Sequence, residues 1–114
     1  IAKKQMGERL FMITDAVAAC SKGIYQHVLN DGYYALPLGT ISGAAISLFE
    51  GIRNCVEQVG IPLDEAIRMS TTYPAKLLER SDIGNLNTGS LANIIVFTDD
   101  FKLEHVIFKG ELRY

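Results

Sequence analysis

Asp15 is the side chain in this sequence best placed for acid–base chemistry. It follows Leu10-Phe11-Met12-Ile13-Thr14, a run of apolar or β-branched residues preceded by the polar pair Glu8-Arg9. A short continuous run of this kind predicts a strand covered on both faces. Where strands and helices alternate around a barrel, catalytic side chains project from the C-terminal ends of the strands. A carboxylate at such an end is a candidate proton shuttle or the neighbour of a metal ion. Taken on the local residues alone, the plainer reading is favoured: an Asp that caps the turn after a strand.

A second candidate is Gly39-Thr40-Ile41-Ser42-Gly43, which feeds the N-terminus of the clearest helix in the chain. Backbone amides and the helix dipole at such a point can hold a phosphate. On these residues alone an ordinary loop with Ser42 as the helix cap is preferred. The two histidines, His27 and His105, fall in separate predicted strands without a His-x-His or His-x-x-x-His partner. Each reads as a packed or solvated side chain. There is no phosphate-binding Walker loop and no convincing Ser-His-Asp order.

The elements that must position these residues follow from periodicity and turn chemistry. Ile1 to Met6 reads as the end of a helix stopped by Gly7, and a chain that opens inside a helix is expected to be a piece of something longer. Residues 16–23 read as a loop beyond the first strand. Ile24–Leu29 and Tyr33–Leu36 are predicted as a hairpin around Asn30-Asp31-Gly32, ended by Pro37. Apolar residues at Ala45, Ile46, Phe49, Ile52, Val56 and Val59 predict an amphipathic helix closed by Gly60. Pro62-Leu63-Asp64-Glu65 restarts a helix, with the acidic pair at the positive end of the dipole. Pro74 to Glu79 is predicted as a third helix, capped by Thr72 or Tyr73. From Ser81 the pattern turns extended, with strands expected at 83–86, 93–97, 103–108 and 111–114. A few strands at a chain end bury little alone, so they are expected to join a sheet built by another part of the protein.

Composition narrows the function class. The chain has 114 residues and a formal net charge of −2, with Lys and Arg scattered. This gives no electrostatic case for nucleic acid or for an anionic membrane. No apolar stretch approaches the length of a membrane span, and no signal peptide is visible. Cys20 and Cys55 lack CxxC spacing and read as reduced thiols, which suits a cytoplasmic protein.

Taken together, Thr14-Asp15-Ala16, Gly39–Gly43, Gly51-Ile52-Arg53-Asn54, Gly60–Ser70 and Tyr73-Pro74-Ala75 closely resemble the C-terminal part of the N-acetylglucosamine-6-phosphate deacetylases, a family within the amidohydrolase superfamily. Ile83-Gly84, Gly89, Ala92–Phe97 and Val106–Gly110 fit the closing strands of the same superfamily. The resemblance covers essentially the whole chain, in order. It implies an α/β fold: the C-terminal fragment of a (β/α)8 metal-dependent hydrolase barrel plus strands of its small β-domain. Residues 1–80 would supply the last barrel strand, a β-hairpin insertion and the C-terminal barrel helices, and residues 81–114 the C-terminal strands of the β-domain. By motif match, Asp15 would be the catalytic acid/base, and Ile41, Ser42 and Gly43 would contact a small sugar-phosphate substrate.

The resemblance also implies a divalent metal, zinc or iron, whose Glu and His ligands lie outside this sequence. The fragment alone is therefore expected to be inactive. Two departures stand out: Ala18-Ala19-Cys20 where the family often has Pro and Gly, and Ala92-Asn93 where the superfamily usually reads Ala-Asp. Another amidohydrolase, or a non-catalytic assembly domain, are the alternative readings. Helix 45–59 without its neighbours would leave apolar surface bare, so self-association as a homo-oligomer is expected.

Overall fold

A capping box sets the longest helix. In the computed structural model, which describes residues 1–114, Ser47 Oγ accepts from the Glu50 amide at 3.1 Å and Glu50 Oε2 accepts from the Ser47 amide at 2.7 Å. The helix that follows runs Leu48–Glu57 and is here α2. It starts later than the apolar spacing predicts, and Ser42 is not its cap. The signature Ser47-Leu48-Phe49-Glu50, a Ser three residues before a Glu, marks the true start. Before it, Ile41–Ala44 is a strand. Pro62 stands immediately before α3, Leu63–Ser70, and α4 follows at Thr72–Leu77. Pro74 therefore does not open α4 but lies within its first turn, where its missing amide leaves no intrahelical bond unmade; Thr72 and Tyr73, expected as caps, are helical residues, and the helix stops short of Glu79.

The core sits between these helices. Ile52 of α2, Ala66 and Met69 of α3, and Tyr73 and Ala75 of α4 are buried. The chain's first helix, α1 (Ala2–Met6), docks on them through charge. Glu65 binds Lys3 of α1, accepts from Arg68 Nε at 2.9 Å, and accepts from the Tyr73 hydroxyl at 2.9 Å. Gly7 ends α1 with φ 56°, as its position predicts, and a single 3-10 turn, Gly7–Arg9, follows.

Two separate antiparallel sheets complete the fold. The first orders β1 (Val28–Leu29), β2 (Tyr33–Ala35) and β3 (Ile41–Ala44) as a meander. Its first turn is the predicted one: Gly32 has φ 78° and the Asn30 amide donates to the Tyr33 carbonyl at 2.8 Å. The second sheet orders β4 (Ile94–Phe97), β5 (Leu103–Phe108) and β6 (Glu111–Leu112). It meets α2 through an aromatic cluster in which the Phe49 and Phe97 rings lie edge to face at 4.9 Å and Phe101 stacks on Phe97 at 5.9 Å.

Two predicted strands are not formed. Residues 10–14 are extended but carry no ladder. A strand needs a neighbour, and none in this chain runs beside them. Instead the Met12 amide donates to the carbonyl of Met69 at 3.0 Å, near the end of α3, and the next pairing is a single parallel bridge from Ala16 to Ala44. Residues 83–85 form bends and Leu86 is irregular, so no strand forms there. Asn85 holds them, its Nδ2 donating to the Ser81 and Ile83 carbonyls at 3.0 and 3.1 Å and its Oδ1 accepting from Ser90 Oγ at 2.7 Å. A side chain that takes local backbone partners competes with a ladder. The strand predicted at 24–29 is likewise reduced to Val28–Leu29, with His27 bridged to Cys20.

Much apolar surface is left uncovered. The accessible area is 8459 Å², whereas a compact protein of this mass exposes about 6,200 Å². The radius of gyration is 16.4 Å, against about 13 Å for a compact chain of this length. Ile13 and Ile41 are 77% and 71% exposed. The segment carrying Asp15 and the first sheet thus present large apolar side chains outward.

Candidate active site

Asp15 closes the extended segment with φ 52°, a left-handed conformation that Asp tolerates better than most residues. Non-glycine residues held there often belong to functional sites. The Asp15 side chain is exposed. Its backbone is tied on both sides: the Asp15 carbonyl accepts from the Ala44 amide at 2.9 Å, and the following amide, Ala16, donates to Thr14 Oγ1 at 3.2 Å.

The structure brings Asp15 and the Ile41–Gly43 segment together. They meet backbone to backbone where β3 passes the end of the extended segment. Gly43 makes this approach possible. A Cβ at Gly43 would stand 2.9 Å from the Asp15 carbonyl oxygen and 2.9 Å from both methyl groups of Val17. Gly43 itself is buried, Ser42 half-buried and Ile41 exposed. The Ile41-Ser42-Gly43 residues lie in a strand that ends before α2, so they do not form that helix's N-terminus. A phosphate site resting on the α2 dipole is therefore not built by these residues.

One contact was not foreseen from the residue pattern. His27 Nδ1 and Ser42 Oγ share a hydrogen bond of 2.9 Å, part-buried. The meander returns β3 past the residue preceding β1, which no short spacing rule reveals. His105 is exposed on β5. Cys20 and Cys55 are free thiols, Cys20 exposed and Cys55 half-buried, with burial pushing the Cys55 thiol above its ordinary range.

The residues present do not fit a metal centre of their own. No group of three His, Cys, Asp or Glu side chains lies together in the structure. Two surface clefts are lined by residues of 72–87 and 85–94, and neither includes Asp15 or Ile41–Gly43. What the chain offers at Asp15 is an open edge: a carboxylate, a hydroxyl-bearing strand beside it, and apolar neighbours facing outward.

The sequence profile described as the amidohydrolase family matches residues 1–113. The chain belongs to the amidohydrolase family. Within that family it is similar to the N-acetylglucosamine-6-phosphate deacetylase of Haemophilus influenzae, 36% identical over 97% of this chain and 32% of that protein. The crystal structure of N-acetylglucosamine-6-phosphate deacetylase from Pasteurella multocida superposes with a TM-score of 0.85 at 37% identity, covering 97% of this chain and 31% of that one. The deacetylase of Mycobacterium smegmatis, a D267A mutant in complex with N-acetyl-D-glucosamine-6-phosphate, superposes with a TM-score of 0.80 at 26% identity over 96% of this chain and 32% of that one. This amidohydrolase chain thus spans about a third of the length of the relatives it matches. No helix is long and apolar enough to cross a membrane.

Proposed function

We propose that this chain is part of an N-acetylglucosamine-6-phosphate deacetylase, an enzyme of amino-sugar catabolism that hydrolyses the acetamide of N-acetylglucosamine 6-phosphate to glucosamine 6-phosphate and acetate. The observation that carries this reading is the superposition of 97% of this chain on a part, 31%, of the Pasteurella enzyme, with a TM-score of 0.85 at 37% identity. The left-handed Asp15, held against β3 by the Ala44 amide and by the bare face of Gly43, fits the role. In this reading the Asp15 carboxylate takes the proton of the attacking water and returns it to the departing amine, general base then general acid. Ile41, Ser42 and Gly43, on the strand beside Asp15, would contact the sugar phosphate in this reading.

The chain lacks a metal centre of its own, so the divalent cation of the family, zinc or iron, would be held by residues elsewhere in the protein. In a whole enzyme of the (β/α)8 type, residues 1–80 would contribute the last barrel strand, hairpin and closing helices, and residues 81–114 strands of the small β-domain. The parallel bridge between Ala16 and Ala44 and the exposed apolar side chains of Phe11 and Ile13 support this placement, because neighbouring barrel strands would pair with and cover them. The free, exposed Cys20 suits a reducing cytoplasm. A homo-oligomer fits the uncovered surface.

The test is acetate release by the full-length protein from N-acetylglucosamine 6-phosphate, its C4 epimer, and N-acetylglucosamine lacking the phosphate. The reading expects the first to have the highest kcat/KM. Equal or better turnover of an unphosphorylated or cyclic amide would overturn it.

A further inference from the structure

Three segments of the chain meet at His27, which bonds to the other two. The first segment is the loop leaving Asp15, residues 16–20. The second runs into β1 from His27, and the third is β3. His27 and Cys20 exchange both backbone hydrogen bonds, at 2.9 and 3.2 Å. The His27 side chain then reaches Ser42 on β3 through the 2.9 Å contact between Nδ1 and Oγ. His27 is thus pinned by its main chain to the loop that follows the acid/base candidate, and by its ring to the strand that carries the substrate candidates. In the strand order β1-β2-β3 these two strands are not neighbours, so this side-chain bond is not a by-product of the ladder.

We propose that His27 is a positioning residue for substrate binding, acting through Ser42; this rests on the deacetylase reading above. The chemistry is that of a hydroxyl with one proton and two lone pairs. When His27 Nδ1–H donates to Ser42 Oγ, the hydroxyl proton is left free and points away from the ring. Ser42 then donates to an oxygen of the substrate. When Nδ1 instead accepts from Ser42, the hydroxyl has only lone pairs to offer. A sugar phosphate is rich in oxygen acceptors and carries negative charge, so the donating tautomer is the one that serves binding. The hydroxyl is aimed before the substrate arrives, and pre-aimed groups bind with less ordering cost. His27 touches no reacting atom in this scheme. Its loss therefore acts on affinity and leaves the proton chemistry at Asp15 intact.

The experiment is steady-state deacetylation of N-acetylglucosamine 6-phosphate by the full-length protein carrying His27→Ala, His27→Asn, Ser42→Ala and the His27→Ala/Ser42→Ala pair. Loss of one aimed neutral hydrogen bond raises KM by about fivefold to tenfold. We expect His27→Ala to do this with kcat within about twofold of the parent. Asn places an amide N–H near the position of Nδ1, so His27→Asn restores most of the affinity. The double variant has the KM of Ser42→Ala, because the two residues act as one unit. The inference is overturned if His27→Ala leaves KM unchanged while Ser42→Ala raises it, or if the two effects multiply. A fall in kcat and melting temperature that His27→Asn does not rescue also overturns it, since that marks a purely structural role. Failure of the underlying reading looks different: the parent protein does not turn over the sugar phosphate at all.

Discussion

Gly43→Ala is the substitution for which the structure predicts most. The added methyl would stand 2.9 Å from the Asp15 carbonyl oxygen and from Val17 Cγ1 and Cγ2. Carbon contacts are comfortable at about 3.5 Å or more, so something must retreat by roughly half an ångström. None of the three atoms is the end of a flexible side chain. One is backbone, and the other two are branched methyl groups one bond from Cβ. The retreat therefore falls on β3 or on residues 15–17 themselves, and the bond from the Ala44 amide to the Asp15 carbonyl stretches with it. Overpacking of this kind costs about 1–3 kcal/mol of stability. A misplacement of 1 Å at a catalytic group costs about a hundredfold in rate, so half that shift predicts a fall of roughly tenfold in kcat. The assay is acetate release by the full-length protein together with urea unfolding. Gly51→Ala is the control, since a Cβ there meets nothing within 4 Å and the site is inside α2. It should leave kcat alone and stabilise by about 0.5–1 kcal/mol. A Gly43→Ala enzyme with parental kcat and stability would refute the close approach of β3 to Asp15.

Other outcomes follow from single contacts. Ser47→Ala removes the α2 capping box and should destabilise by about 1 kcal/mol, read from denaturant midpoints. Gly84→Ala should cost more, because Gly84 has φ 74° and its Cβ would lie 2.8 Å from the Thr71 carbonyl oxygen; equal unfolding midpoints for Gly84→Ala and its parent would contradict this. Hydrogen bonds from Lys3, then Arg68, hold the Glu65 carboxyl at about 2, below its ordinary 4.5. A depressed carboxylate stabilises the fold fully above its unfolded value and loses that contribution as pH falls through the folded one. Stability should therefore drop between about pH 4.5 and pH 2, and Glu65→Gln should flatten that window in acid unfolding curves. The isolated 114-residue chain, supplied with zinc or iron, should show no deacetylase turnover and should sediment as more than a monomer; a clean active monomer would contradict both expectations.

The helices and the closing strands were legible because their signals are local. Gly7, the Asp31-Gly32 turn, Pro62 and the apolar run 94–97 act on their own neighbours, and the elements fall where those residues put them. The start of α2 was also written locally, in Ser47 and Glu50, but the apolar residues Ala45 and Ile46 extended the periodic pattern past the cap. The segment 10–14 shows the opposite limit. Its composition describes a buried strand, yet a ladder depends on a partner, and no strand of this chain lies alongside it. Asn85 similarly replaced a predicted strand by satisfying the backbone with its own amide. At the candidate site, Asp15 and Ile41–Gly43 could be picked out as residues, and the absent Cβ of Gly43 is what lets their backbones touch. The His27–Ser42 contact was invisible because it joins residues 15 apart across a meander, and only the path of β1 to β3 brings them together.

The most direct measurement is the single-turnover rate of acetate release by the full-length protein with Asp15→Asn. Asn preserves the shape and the left-handed backbone but can neither take nor return the proton. The rate should fall by about a hundredfold to ten-thousandfold with substrate affinity within a few-fold of the parent. An Asp15→Asn enzyme that turns over at the parental rate would contradict the assignment of this carboxylate as the acid/base group.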